Sequence, residues 1–200
     1  MDKLTLTFVK SPQLGKAKTR LAATIGAAKA LEVYEALLQH TCSVLLESPG
    51  DKMVFYAEKI SHDDLWSEAG FKKDLQPEGD LGDRMKKAFQ TGFAMGYEKV
   101  VIIGSDCYDL QIHHLQEAFQ ALEETDLVFG PALDGGYYLM GMKKIHHELF
   151  DNKSWSTDKL LGETLETAQQ QGLSFHLLEA LSDIDYEEDL KGDLLAIVNN

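Results

Sequence analysis

Cysteine is scarce in this chain, and so is every pattern that would make it structural. The 200 residues include two cysteines, Cys42 and Cys107, which stand far apart and form no CxxC pair or Cys/His cluster of the zinc-binding kind. Neither a disulfide framework nor a structural metal is suggested. No apolar run approaches the length of a membrane span, and Leu4 to Val9 is too short and interrupted for the core of a signal peptide. There is no internal repeat, low-complexity tract or linker. A Walker loop is missing, because no glycine-rich turn ends in Gly-Lys-Ser/Thr, and a GxGxxG fingerprint is missing too. Positive charge is in deficit: 33 acidic residues against 19 lysines and arginines leave a net charge of −14. That balance argues against gripping nucleic acid or anionic lipid through a general positive field. The expectation is a soluble cytoplasmic protein with no nucleic-acid and no membrane partner.

What is present fits one α/β domain over residues 1–200, with 44% hydrophobic residues and enough length to bury roughly 70% of the unfolded surface. The charge is uneven. Between Lys3 and Leu31 the chain carries Lys3, Lys10, Lys16, Lys18, Arg20 and Lys29 and no acidic residue, a local reversal expected of a phosphate site.

The central stretch is Val100-Val101-Ile102-Ile103-Gly104-Ser105-Asp106. Four β-branched residues in a row predict a strand buried on both faces in the middle of a parallel sheet. Ligands of open α/β sheets sit beyond the carboxyl ends of the strands, where Asp106 lies. The competing reading is that Ser105, Asp106 or Asp109 caps a helix beginning near Ile112.

Along the chain, Leu4 to Val9 predicts the first strand, and Lys10 to Leu21 a basic loop broken by Pro12 and Gly15. Helical spacing runs from Ala27 to Glu47. A strand at Met53 to Ala57 and a short helix at Asp63 to Ala69 follow, then a loop from Leu75 to Met85 in which Asp80 caps the next helix. A helix from Ile112 to Leu122 would leave His113 and His114 exposed at its start. Asp126 to Gly130 reads as a buried strand, and Gly135-Gly136 either makes a plain hairpin turn or lets the backbone approach a ligand near Asp134. Tyr137 and Tyr138 then point to opposite faces, so one of them at most lines a pocket. A helix from Asp158 to Gln171, capped by Ser156 or Thr157, a strand at Ser174 to Leu178 and a terminal helix opening near Asp183 complete the reading. Asp183 and Asp185, if extended, share one face as a divalent cation requires; the alternative is a capping pair of Asp185 with Glu188.

The ordered set of motifs resembles the DUF2064 family of GT-A-type, nucleotide-diphospho-sugar-transferase-like proteins over nearly the whole chain, including the arsenosugar-associated glycosyltransferases. The motifs are the basic Pro/Gly loop, Gly79-Asp80-Leu81-Gly82, Gly104-Ser105-Asp106, Asp134-Gly135-Gly136-Tyr137, Trp155-Ser156-Thr157 and Asp183-Ile184-Asp185. The loop from Lys10 to Leu21 is also similar to the nucleotide loop of the 2-phospholactate guanylyltransferases.

The resemblance implies a Rossmann-like GT-A fold, three-layer α/β/α with a mostly parallel mixed sheet. It implies nucleotide phosphates at Lys10, Gly15, Lys18 and Arg20, and base and ribose at Gly79, Asp80 and Gly82. Mg²⁺ or Mn²⁺ would sit on Asp106 and on Asp185, with Asp183 as a further ligand. The acceptor or sugar would lie at Asp134, Gly135, Gly136 and Tyr137, near Trp155, Ser156 and Thr157. The chain departs from the family pattern at Cys107-Tyr108, where a proline is usual.

The expected chemistry is electrostatic: a metal at Asp106 and the cationic loop neutralise a leaving diphosphate, and Asp134 is the candidate base for an acceptor hydroxyl. The leading expectation is a metal-dependent glycosyltransferase with a nucleotide-sugar donor and a small-molecule acceptor. A nucleotidyltransferase releasing pyrophosphate is the alternative, and a non-catalytic nucleotide-binding protein is the third. A homodimer stays open.

Overall fold

The computed structural model describes residues 2–199. Its framework is a seven-stranded mixed sheet formed by β1 (Lys3–Val9), β2 (Asp51–Tyr56), β3 (Lys72–Leu75), β4 (Lys99–Ile103), β5 (Leu127–Pro131), β6 (Tyr137–Met142) and β7 (Phe175–Leu177), in the spatial order β3-β2-β1-β4-β6-β5-β7. Only β6 runs antiparallel to its neighbours, β4 and β5; the remaining pairs are parallel. Every residue of β4 is buried, as its β-branched run requires. It marks the seam between parallel and antiparallel pairing, not the interior of a purely parallel sheet.

Among the described residues, seven α-helices accompany the sheet: α1 (Thr19–Ile25), α2 (Ala27–Glu47), α3 (Leu65–Glu68), α4 (Leu81–Ala94), α5 (Ile112–Glu124), α6 (Leu160–Gln170) and α7 (Asp193–Asn199). Alternation along the strands divides the core in two. Val101 and Ile103 of β4 face α2 and α5, where Leu38, Leu45, Leu115 and Phe119 are buried. Val100 and Ile102 face α4 and α6 and pack with Met85, Phe89 and Ala168. The result is a three-layer α/β/α arrangement of GT-A, Rossmann-like form. A third cluster, with Leu21, Leu37, Ile184 and Leu194, ties α1, α2 and α7 together behind the basic loop.

Several local expectations are corrected. Helix α1 starts at Thr19, inside what reads as loop, after Lys18 in a left-handed conformation at φ 47°. Edge strand β3 lies between the expected short helix and the loop that begins at Leu75, a stretch in which no strand is expected. The cap of α5 is Gln111, so none of Ser105, Asp106 and Asp109 serves there. His114 is buried instead of exposed, because its Nδ1 turns back to accept the Gln111 N–H. Helix α6 begins at Leu160 after Lys159, not at a Ser156 or Thr157 cap, and the C-terminal helix starts at Asp193 after a 3-10 turn at Glu187–Asp189. Asp189, not Glu188, accepts the backbone N–H groups of Asp185 and Tyr186.

Candidate active site

A cleft of about 670 Å³ opens at the carboxyl ends of β1 and β4 and the amino end of the antiparallel β6, the edge where an open α/β sheet presents its loops. Its acidic wall is built by one backbone contact. The Ile184 N–H donates to the Asp106 carbonyl at 3.0 Å, while the Ile184 side chain is fully buried in the third core. Neighbours in an extended segment face the opposite way from the residue between them, so burying Ile184 leaves Asp183 and Asp185 in the cleft beside Asp106. The unusual Cys107-Tyr108 pair does not prevent this: Cys107 is buried and Tyr108 packs on His40 with ring centroids 5.0 Å apart.

Lys18 lies inside the acidic group. Its Nζ is 3.0 Å from Asp106 Oδ2 and 3.3 Å from Asp185 Oδ1, and its side chain is only 4% exposed. Burial alone would lower the pKa of this ammonium, but the charges of Asp106 and Asp185 hold it above its ordinary value. Arg20 Nη1 meets the other Asp185 oxygen at 2.8 Å. The Asp183 carboxyl is pushed up to about 7, first by burial and then by the negative charge of Asp106, against the pull of Lys18. Asp134 and Asp185 push in the same direction. Asp106, Asp183 and Asp185 line the cleft together and offer carboxylate oxygens without sulfur or imidazole, the donor chemistry of Mg²⁺ or Mn²⁺; with Lys18 between two of them, their ligand atoms do not all lie within 4.8 Å of one another.

A second cluster brings potential ligand atoms of His113, His114 and Glu179 within 4.8 Å of one another. Here the hydrogen bonding opposes a metal. His114 Nδ1 accepts the Gln111 N–H at 2.9 Å, so in the neutral ring Nε2 carries the proton. That Nε2–H, buried and without a hydrogen-bond partner, points toward Glu179 Oε2 at 3.9 Å as a donor and not as a ligand.

The cationic side is held by Tyr34 on α2. Its hydroxyl accepts the Lys10 N–H at 2.9 Å and donates to the Lys10 carbonyl at 3.0 Å, pinning the loop where it leaves β1. Burial and the charge of Asp106 push this hydroxyl up to about 12. Lys10, Lys16, Lys18 and Arg20 line the cleft, and Gly15 does not.

Arg84, on α4, lines the same cleft and was missed by motif reading. Its Nε donates to the Gly79 carbonyl at 2.9 Å and its Nη1 to Gln76 Oε1 at 3.4 Å. The Gln76 amide in turn donates to the Val9 and Phe55 carbonyls at the ends of β1 and β2. Among the described residues no carboxylate pairs with Arg84, so neutral acceptors orient the guanidinium and leave its charge unspent. One signal was available: the chain has two arginines, and both lie in this cleft.

On the remaining side, Asp134, Gly136, Tyr137, Trp155, Ser156 and Thr157 line the cleft. Asp134 Oδ1 accepts the Gly136 N–H at 2.9 Å. Gly135 does not line it; at φ +90° a Cβ there would lie 2.2 Å from the Asp158 carbonyl oxygen, so this glycine admits the chain entering α6. Gly79, Asp80 and Gly82 are also outside the lining. Asp80 caps α4 by accepting the Asp83 N–H, and Gly82 is covered by the Trp155 indole, which a Cβ would meet at 2.4 Å. Both Tyr137 and Tyr138 line the cleft, contrary to the expectation for opposite faces, because the cleft wraps around the end of β6 and reaches both cores.

The sequence profile of the family described as "Uncharacterized protein conserved in bacteria (DUF2064)" matches residues 37–157, more than half of the chain. A crystal structure from Desulfovibrio desulfuricans G20, provisionally named a nucleotide-diphospho-sugar transferase, is similar at 33% identity with a TM-score of 0.85, over 93% of this chain and 84% of that one. The inositol-1-phosphate CTP transferase of T. maritima shares the fold at 16% identity and TM-score 0.62, over 99% and 95% of the two chains. Glucosyl-3-phosphoglycerate synthase of Mycobacterium tuberculosis, crystallised with Mn²⁺, UDP and glucosyl-3-phosphoglycerate, shares it at 12% and 0.56, over 99% and 76%. Among curated proteins, Aryl-hydrocarbon-interacting protein-like 1 of Bos taurus is 36% identical over 59 residues. That match takes in 30% of this chain, which spans only 18% of the length of that relative.

Proposed function

Since this chain belongs to the DUF2064 family, we propose that it is a single-domain, metal-dependent glycosyltransferase that takes a nucleotide-diphospho-sugar donor and a small-molecule acceptor. The observation that carries this reading is the presence of Asp134 in one cleft with Asp106, Asp183 and Asp185. A sugar acceptor hydroxyl needs a base, whereas an acceptor phosphate is already a nucleophile. The Gly136 N–H occupies Asp134 Oδ1 and orients the carboxylate, leaving Oδ2 to take the hydroxyl proton.

Asp106, Asp183 and Asp185 would hold Mg²⁺ or Mn²⁺, which would supply Lewis-acid neutralisation of the departing diphosphate. Lys10, Lys18 and Arg20 bind phosphate oxygens. Arg84, clamped by Gly79 and Gln76 with no competing carboxylate, binds a further anionic group of the donor through its outer N–H fork. Tyr137, Trp155, Ser156 and Thr157 border the acceptor.

The test is a panel of nucleotide-sugars with Mn²⁺, following release of nucleoside diphosphate. Asp106→Asn should abolish metal-dependent donor binding. Asp134→Asn should keep donor binding and lose a factor of about 10² to 10⁴ in kcat. Consumption of a nucleoside triphosphate with pyrophosphate release, unaffected by Asp134→Asn, would replace this reading with nucleotidyl transfer. Arg84→Gln should weaken donor binding by roughly tenfold or more, the loss of one charge-assisted contact, and Gln76→Leu should weaken it less. Unchanged donor affinity in both would remove Arg84 from the site.

A further inference from the structure

We propose that Lys18 and the divalent ion hold the Asp106–Asp185 pair in turn, the ammonium competing with the cation for these oxygens and a nucleotide phosphate favouring the exchange by drawing the ammonium away. The inference rests on the metal reading of these carboxylates given above and adds the order in which they are filled. Lys18 Nζ bridges the two at 3.0 and 3.3 Å with its side chain almost fully enclosed, so it occupies the space between them and is not a surface ion pair beside it. The chain accepts a left-handed, non-glycine backbone at Lys18 (φ 47°, ψ 51°) where the ammonium is delivered, a conformation that side chains with a Cβ avoid.

An ammonium and a dication cannot share these oxygens. Octahedral Mg²⁺ needs ligand oxygens at about 2.1 Å, and its charge repels a cation held by the same lone pairs. Arg20 need not move: it meets Asp185 through the other oxygen, at 2.8 Å, with a side chain 63% exposed at the rim. Lys18 is suited to exchange because its charge rides on a flexible four-carbon stem. Diphosphate oxygens entering the cleft give the displaced ammonium a new partner, so metal and nucleotide bind with positive coupling and metal alone binds weakly. Before substrate arrives, the same contact offsets the repulsion among Asp106, Asp183, Asp185 and nearby Asp134.

Two measurements test this on the full chain without nucleotide or turnover. In the first, free Mn²⁺ is followed by electron paramagnetic resonance in wild type, Lys18→Met, Lys18→Gln and Asp106→Asn, each checked for folding by circular dichroism. Removing the competing ammonium should tighten Mn²⁺ binding by roughly tenfold in both Lys18 variants, and Asp106→Asn should lose it. In the second, lysines of the wild-type protein are acetylated briefly with and without Mn²⁺ and read by mass spectrometry. Labelling of Lys18 should rise several-fold with Mn²⁺ while Lys52 and Lys99 stay constant. Mn²⁺ binding that is equal or weaker in the Lys18 variants, or that leaves Lys18 labelling unchanged in wild type, overturns the exchange while leaving the metal site intact. Absence of Mn²⁺ binding in wild type and both Lys18 variants overturns the metal reading and the exchange with it.

Discussion

Asp183→Asn should make the metal-free protein more stable, and the gain should depend on pH. The Asp183 carboxyl is pushed from an ordinary 3.8 up to about 7 by burial and by Asp106, with smaller contributions from Asp134 and Asp185. A carboxyl raised on folding keeps its proton in the native state over a range where the unfolded chain has lost it. Its effect is therefore absent below the unfolded value, grows more unfavourable as pH rises from 3.8, and is complete above about 7. A shift of about three units corresponds to roughly 4 kcal/mol. Asparagine keeps the shape and removes the charge, so it should recover about 2–4 kcal/mol near pH 8 and only about a third of that near pH 5. For a chain of this size, the larger gain is roughly 5–15 °C in Tm. The assay is urea and thermal unfolding in EDTA at both pH values, with the urea m value unchanged between the proteins. A gain of equal size at both pH values, or a loss near pH 8, would refute the claim that crowded carboxylates strain this site. The variant should bind Mn²⁺ less well, since the same crowding holds the ion.

Two further predictions concern a packing contact beside the cleft and a helix cap away from it. Gly82→Ala puts a Cβ 2.4 Å from the Trp155 ring, so the indole must move into the cleft at a cost of about 1–3 kcal/mol. The check is a red shift of Trp155 emission against buried Trp66, and unaltered fluorescence would contradict the packing. The second is Asp64→Asn. Asp64 caps α3 through Trp66 and Ser67 N–H groups and accepts from Tyr56 and Lys73 at 2.6 Å each. Burial alone would raise this carboxyl, but Lys73 and Tyr56 hold it below the usual range. Its stabilisation is thus present above the unfolded value and is lost as pH falls through the folded one. The substitution should cost about 2–3 kcal/mol at neutral pH, shrinking toward the acid end of a urea series. A cost constant with pH would show that charge is not what Asp64 contributes.

What was legible in the chain follows from how local each signal is. The buried run of β4, the apolar stripes of α2, α4 and α5 and the Asp80 cap are encoded within one or two turns, and they lie where the sequence puts them. Strand β3 was missed because Lys72-Lys73-Asp74-Leu75 is a mostly exposed edge with no buried face to impose alternation. The burial of His114 was missed because its decisive partner is the backbone of Gln111, a contact that side-chain spacing does not announce. Arg84 carried no motif beyond its rarity.

By itself the sequence determined the order of the strands and helices apart from α1 and β3, the cationic segment before α1 and the positions of the aspartates, because hydrophobic periodicity and charge are written along the chain. Only the tertiary structure decided that Ile184 docks on Asp106, that Lys18 bridges two carboxylates, and that Gly82 and Gly135 make room for Trp155 and Asp158. These contacts join residues far apart in the chain, such as the 167 positions between Lys18 and Asp185, and their strength depends on how water is excluded around them. Burial and dielectric are properties of the packed molecule, not of any segment.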